Sequence, residues 1–384
     1  MQQNPQQWDI FCAVVDNFGD IGICWRLSRQ LAAEHGVIVR LWVDDLASFQ
    51  RLCREVNLLQ PRQQIQGVEI WRWHSSIDWS EITPAAVVIE ALACTIPDAY
   101  QQRMATMRNK PLWLNLEYLS AEAWVEDCHG LASPQPSLPL TKYFFFPGFT
   151  KQTGGLLREK TLLPRLDSFA QDAEAQQQFW QQLKLTNVQL FQRRISLFAY
   201  SHQHLSSLLS CWQEAESTTL CIIPVGDLAE QAQQLLPGLT LAQSATFGAL
   251  TVKIVPFLAQ PDYDLLLSAC DINFVRGEDS IIRAQWAGKP FIWQIYRQQE
   301  QAHLQKLQAF LTRYSAALPP ELADAIGCFH HAWNAEQPLR SGWLKLESVL
   351  AELSAKNLLW RNKLESLGDL ASNLVRFVEK KIII

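Results

Sequence analysis

Short apolar runs alternate with stretches of helical spacing along most of the chain. The first run, Ile10-Phe11-Cys12-Ala13-Val14-Val15, leads into a polar turn, Asp16-Asn17-Phe18-Gly19-Asp20-Ile21-Gly22. Apolar positions then recur at helical intervals through Trp25-Arg26-Leu27-Ser28-Arg29-Gln30-Leu31-Ala32. Strand, turn and helix in that order make the first βα unit of an open α/β domain. Further strands are predicted at 37–43, 68–73, 86–91 and 112–116, and this alternation predicts a parallel sheet with crossover helices. The proline- and aromatic-rich stretch from Pro134 to Pro147 breaks the rhythm, and a helix from Asp167 to Leu183 follows. The pattern then starts afresh, with strands predicted at 195–200, 219–225, 251–254, 272–275 and 291–294 and helices between them at 262–270 and 280–287. The last 40 or so residues read as helices. The simplest architecture is two similar α/β domains facing one another across a cleft, where ligands preferentially bind.

Composition narrows the partners. A chain of 384 residues, 48% hydrophobic, affords two substantial cores. Its net charge of -5 argues against a general nucleic-acid binder. The N-terminus, Met1-Gln2-Gln3-Asn4-Pro5-Gln6-Gln7-Trp8, lacks the basic and apolar regions of a signal peptide. No apolar run approaches the ~18 residues of a membrane span. The nine cysteines include no CxxC pair and read as buried free thiols of a cytoplasmic protein.

Two segments carry candidate chemistry. Asp16 and Asp20 stand just past the first strand, where ligands of such sheets bind. They suit general-base work, and they equally suit a turn and a helix cap, with Asp20 capping a helix that begins near Ile21. The second segment runs Asp271-Ile272-Asn273-Phe274-Val275-Arg276-Gly277-Glu278-Asp279-Ser280, then a helix to Ala287 and the stop Gly288. Asp279 or Ser280 can cap that helix, whose exposed N–H groups favour an anion such as a diphosphate. Arg276 can fork onto phosphate oxygens, and Glu278 better suits sugar hydroxyls. Phe198, Tyr200 and Phe257 close neighbouring strands, where an aromatic ring can stack on a base or simply fill the core. Neither a Walker loop nor GxGxxG is present.

Together these residues resemble the EarP family of bacterial protein-arginine rhamnosyltransferases, which modify one arginine of translation elongation factor P. The resemblance rests on Asp16 to Leu31, on Asn115-Leu116-Glu117-Tyr118-Leu119-Ser120-Ala121-Glu122-Ala123-Trp124, on Phe146-Pro147-Gly148-Phe149 and on Val255 to Pro290. It extends over nearly the whole chain, and the visible departures, such as Ile23 and Ser28, are conservative. It implies an α/β GT-B glycosyltransferase fold of two Rossmann-like domains. The acceptor-binding domain would span 1–180 and the donor-binding domain 181–359, with a C-terminal helix at about 360–384 returning to the first. It implies an inverting transfer of L-rhamnose from dTDP-β-L-rhamnose, with no cofactor, no metal, no nucleic acid and no membrane. Matched position by position, Asp20 is the general base, assisted by Asp16, with Glu278 also in the catalytic set. Phe198, Tyr200, Phe257, Arg276, Glu278, Asp279 and Ser280 bind the donor, and Asn17, Glu117 and Tyr118 lie on the acceptor side. Two other readings stay open: a GT-B enzyme with another nucleotide sugar or acceptor, and a non-catalytic elongation-factor-binding protein.

The chemistry constrains the proton transfer. A guanidinium holds its proton to a pKa above ~12, an aspartate of ordinary acidity to ~3.9. Complete prior transfer would cost roughly 12 kcal/mol, against a total barrier of about 16 kcal/mol for ~10 turnovers per second. Two routes avoid that cost: the proton leaves late, as the C–N bond forms and Asp20 accepts it, or the paired carboxylates twist and localise the guanidinium so that one nitrogen becomes more nucleophilic. The expectation is the first with help from the second.

Overall fold

The ten apolar runs of the two halves all become strands, and the computed structural model describes them within residues 6–15, 18–297 and 302–382. The chain divides into two units, 1–160 with 364–384 and 161–363. Among the described residues no helix is long and apolar enough to cross a membrane.

Unit 1 holds β1 (Gln7–Cys12), β2 (Ile38–Val43), β3 (Arg62–Ile65), β4 (Val68–Arg72), β5 (Val87–Ala91), β6 (Leu112–Leu116), β7 (Ala132–Pro134) and β8 (Thr141–Phe145). Their order is β3-β4-β2-β1-β5-β6-β8-β7. The edge pairs β3–β4 and β7–β8 are antiparallel and the rest parallel. Without β3 and β7, the strands run in Rossmann order, which reverses direction between β1 and β5. The helix Gly19–His35 buries Ile21, Cys24, Leu27 and Leu31 and ends at Gly36, whose left-handed φ of 64° suits glycine. Another core gathers Phe11, Trp42, Trp79 and Tyr100, with Phe11 and Trp42 stacked at 5.3 Å. Asp9, fully buried there, accepts a fork from Arg40 and hydrogen bonds from Trp42 and the Ala85 N–H. Those partners offset the cost of a charge within the sheet.

The chain returns to unit 1 through the helix Leu370–Ile382. Phe377 meets Phe145 at 5.5 Å, and Asn373 donates to the Gly154 carbonyl at 2.9 Å. Gly154 has no room for a side chain, since a Cβ would lie 2.4 Å from Phe145.

Unit 2 holds β9 (Arg193–Leu197), β10 (Thr219–Pro224), β11 (Ala245–Phe247), β12 (Leu250–Val255), β13 (Ile272–Arg276) and β14 (Phe291–Gln294), ordered β11-β12-β10-β9-β13-β14. Only the edge strand β11 is antiparallel, and the order reverses between β9 and β13. The outer edge of β14 is closed by side chains of the helix Pro320–Asn334. His330 Nε2 accepts from the Trp293 N–H at 3.1 Å, and Asn334 accepts from the Ile295 N–H and donates to the Trp293 carbonyl. Burial pushes the His330 imidazole down to about 4.

Three local expectations change. The predicted helix 167–183 is two helices, Leu162–Gln171 and Ala173–Gln182, broken at Asp172, whose carboxylate caps the second by accepting from the Ala175 N–H. The proline-rich stretch contains β8, which joins β6 in parallel. Finally, the nine free cysteines are not uniformly buried, because Cys128 is half-buried and Cys328 exposed.

Candidate active site

Both candidate segments lie at the points where strand order reverses, outside the carboxyl ends of the strands. In unit 1, Cys12 of β1 is level with Ala91 of β5, and Ala91 with Leu116 of β6. The segments following these three strands carry Asp20, Leu92 and Tyr118. Asp20 does not cap its helix. The helix begins at Gly19, the cap position is Phe18 without a side-chain bond, and Asp20 lies in the first turn. Its side chain turns back toward the end of β1, only 1% exposed, where Oδ2 accepts from the Val15 N–H at 2.9 Å. Oδ1 lies 3.1 Å from the Tyr118 hydroxyl, itself 3.0 Å from the Leu92 carbonyl oxygen. Asp44 holds the neighbouring Val14 N–H at 3.0 Å. Asp20 is therefore a carboxylate set by a turn and a tyrosine, on the side where acceptor chemistry is expected.

Around it lie Cys12, Cys24 and Cys94, all buried. A hydrogen bond with Cys24, together with burial and the nearby Asp20 charge, holds the Cys12 thiol well above the usual range; burial does the same to Cys94. Cys12 and Cys94 therefore stay protonated and unreactive. Glu117 is half-buried and accepts from the Asn115 amide at 2.5 Å. Asp16 and Asn17 lie outside the described residues.

In unit 2 the sheet register explains the cluster. Leu197 pairs with Phe274, and the Phe198 N–H donates to the Phe274 carbonyl at 3.1 Å. Two residues further on, Arg276 ends β13, level with Gln294 of β14. Its guanidinium sits 4.7 Å from the Phe198 ring and 4.6 Å from the Tyr200 ring. Such a clamp is favourable and fixes the direction of the fork. Tyr200 is itself held by its N–H, which donates to Gln294 Oε1 at 2.8 Å. Phe257 is half-buried just past β12.

The turn after β13 needs Gly277, whose φ is 63°, and Trp293 donates to its carbonyl at 2.9 Å. Neither Asp279 nor Ser280 caps the helix Asp279–Ala287, whose cap position is Glu278 without a side-chain bond. The Ser280 hydroxyl instead accepts from the Arg276 N–H at 3.1 Å and donates to the Arg276 carbonyl. It shapes the turn that carries Arg276. Asp279 accepts from Gln260 at 3.4 Å. Glu278 pairs with Lys306 at 3.2 Å, which compensates a negative charge that would otherwise repel a phosphate. Deeper in, Asp264 accepts a fork from Arg283 and a third bond from Arg165 at 2.9 Å, anchoring the helix from its buried side.

Sequence reading missed Lys306, Tyr263, Gln260 and Trp293. Tyr263 and Gln260 stood in the segment Val255 to Pro290 and Trp293 in the predicted strand 291–294, while nothing local distinguishes Lys306. Tyr263 meets Phe198 edge-on at 5.6 Å, backing the ring that holds Arg276. Among the described residues no group of three or more histidine, cysteine, aspartate or glutamate side chains is placed to hold a metal ion.

A profile of the family described as Elongation-Factor P (EF-P) rhamnosyltransferase EarP matches residues 8–379. The chain is 46% identical over 372 residues to a protein-arginine rhamnosyltransferase of Pseudomonas aeruginosa, covering 96% of this chain and 98% of that relative. It is similar to a solved structure described as "Structural basis for EarP-mediated arginine glycosylation of translation elongation factor EF-P", with a TM-score of 0.71, 34% identity and coverage of 98% of this chain and 99% of that one. A glycosyltransferase from Rickettsia africae aligns over 98% of both chains with a TM-score of 0.51 and 12% identity, a likeness of fold alone. With the two Rossmann-type sheets, the fold class is GT-B.

Proposed function

We propose, from the premise that this chain belongs to the EarP family of elongation-factor P rhamnosyltransferases, that it moves L-rhamnose from dTDP-β-L-rhamnose to one arginine of translation elongation factor P, with inversion and without a metal. The observation that carries the reading is the contrast between the two strand-order reversals: a buried, oriented carboxylate at one and a clamped guanidinium at a helix N-terminus at the other.

Each unit offers the groups for one task. In unit 2, Arg276 and the N–H groups at the start of Asp279–Ala287 hold the diphosphate and stabilise the charge that grows on it as the glycosidic bond breaks. Phe198 and Tyr200 keep the guanidinium aimed, and Phe257 is the ring offered to the base. Glu278, balanced by Lys306, takes sugar hydroxyls. In unit 1, Asp20 takes the proton of the attacking guanidinium nitrogen. The C–N bond forms at the anomeric carbon, the C–O bond to the diphosphate breaks, dTDP departs, and the proton passes to Asp20 during attack. Asp16 is assigned to orienting the guanidinium, with Asn17, Glu117 and Tyr118 on the acceptor side.

Incubation of the protein with elongation factor P and dTDP-rhamnose, followed by intact-mass measurement, tests this. The expected product carries one added deoxyhexose, forms in the presence of a chelator, and loses the addition when one arginine of the factor is replaced by lysine. No mass gain with dTDP-rhamnose would overturn the reading. A gain only with another nucleotide sugar would reassign the donor, and binding of the factor without any gain would favour the non-catalytic reading.

A further inference from the structure

The Tyr118 hydroxyl has one proton and two acceptors within reach, Asp20 Oδ1 at 3.1 Å and the Leu92 carbonyl at 3.0 Å. A carbonyl can only accept, so at any moment the proton goes to one of the two. The Leu92 carbonyl reaches this place at a cost. Leu92 and Ala93 both adopt left-handed backbone, with φ of 55° and 60°. Residues other than glycine adopt that conformation only with strain, and such strain gathers at functional sites. The Leu92 N–H is meanwhile tied to the Leu116 carbonyl at 2.8 Å, only two residues before Tyr118. The strained turn and the tyrosine are therefore braced against each other.

We propose that Tyr118 is the positioning residue of the general base, its hydroxyl serving both protonation states of Asp20. While Asp20 is charged, the Tyr118 O–H donates to Oδ1 and the Val15 N–H to Oδ2, fixing the plane of the carboxylate. When Asp20 takes the proton from the guanidinium, its own O–H donates to the Tyr118 oxygen, and the Tyr118 O–H turns to the Leu92 carbonyl. Only hydroxyl protons turn: one hydrogen bond reverses, no proton leaves the pair, and the Leu92 carbonyl gains the donor that went to Asp20 in the charged state. The inference rests on the reading of Asp20 as proton acceptor. Among the described residues, Cys12 of β1 faces that carboxylate, Cys24 of its own helix hydrogen-bonds Cys12, Cys94 of the turn after β5 lies beside Cys24, Tyr118 of the segment after β6 touches Oδ1, and Asp44 holds the Val14 N–H one residue along the loop. Cys12 and Cys94 stay protonated, their thiols held well above the usual range, Cys12 by its hydrogen bond with Cys24 and by burial, Cys94 by burial.

The test is a pH profile of the full-length Tyr118→Phe variant, with elongation factor P and dTDP-rhamnose saturating. A hydrogen bond to a charged group removed in this way should lower kcat roughly 10- to 100-fold. The acid limb of the profile should move to higher pH, because the charged carboxylate has lost a donor, while dTDP affinity by calorimetry stays unchanged. A tyrosine that only fills space would leave kcat and the acid limb where they were, and that result overturns the proposal. So would a raised KM for the factor at unchanged kcat, which would make Tyr118 an acceptor contact. Should Tyr118→Phe fail to fold, 3-fluorotyrosine placed at 118 keeps the question open to measurement: its stronger donor should move the acid limb down, and an unmoved limb contradicts the proposal. Asp20→Asn separates the two readings. Full activity in Asp20→Asn removes the base itself, whereas an inactive Asp20→Asn beside a normal Tyr118→Phe removes only this inference.

Discussion

The two units reverse strand order at equivalent places, between β1 and β5 and between β9 and β13, and fill those places with opposite chemistry. At the first, a carboxylate is drawn inward and held by a backbone N–H and a phenol. At the second, a guanidinium is held outside the sheet between two rings, on a turn closed by Ser280 and Trp293. The fold decides where a ligand meets the sheet; the two or three residues after the strand decide what it meets. The anionic place suits removing a proton from a cation, and the cationic place suits holding a diphosphate.

Four experiments sharpen or break that contrast. The largest effect is expected for Asp20→Asn, which should lose roughly 10³-fold in kcat with dTDP affinity intact by calorimetry; a loss of affinity would mean the two places are not chemically separate. Next comes acid stability. His330 binds its proton more weakly in the folded state, at about 4, than in the unfolded chain, at about 6.5. Between those values the unfolded state holds more protons, so stability falls as pH drops from about 6.5 to about 4, by on the order of 3 kcal/mol, and is indifferent to this group above that window. Denaturant melts across that range should show the slope, and His330→Gln should flatten it; an unchanged slope would mean the edge of β14 is not what gives way.

Arg276→Ala should weaken dTDP binding by about 10- to 100-fold, the worth of a charge-assisted fork; unchanged affinity would remove Arg276 from the donor role. The smallest effect is expected for Lys306→Gln, which leaves the Glu278 charge facing the incoming diphosphate and should weaken dTDP binding a few-fold, about 1 kcal/mol. Lys306→Arg should restore it, and equal affinity in both variants would show that the Glu278 pair has no part in binding.

Much of the frame was legible because it is local. Every parallel strand but β8 was read from an apolar run, and both candidate segments advertised themselves as strand, polar turn and helix. What escaped was either weakly patterned or distant in sequence. The edge strands β3 and β11 are short and exposed, so they carry no continuous apolar run. β8 was hidden by the prolines around it. The capping roles read for Asp20, Asp279 and Ser280 failed because those side chains serve other partners: Asp20 the end of β1, Ser280 the turn at Arg276, Asp279 the Gln260 amide. The partners of Asp20 and Glu278, Tyr118 and Lys306, lie 98 and 28 residues away in sequence, and only the strand order brings them together.

The division of labour is tested most directly by single-turnover rates of Asp20→Asn and Arg276→Ala as dTDP-rhamnose is raised to saturation. Asp20→Asn should stay slow at every donor concentration, while Arg276→Ala should recover much of its rate. Recovery of Asp20→Asn with donor, or an Arg276→Ala rate indifferent to donor because its affinity is normal, would contradict the assignment of the proton to one unit and the diphosphate to the other.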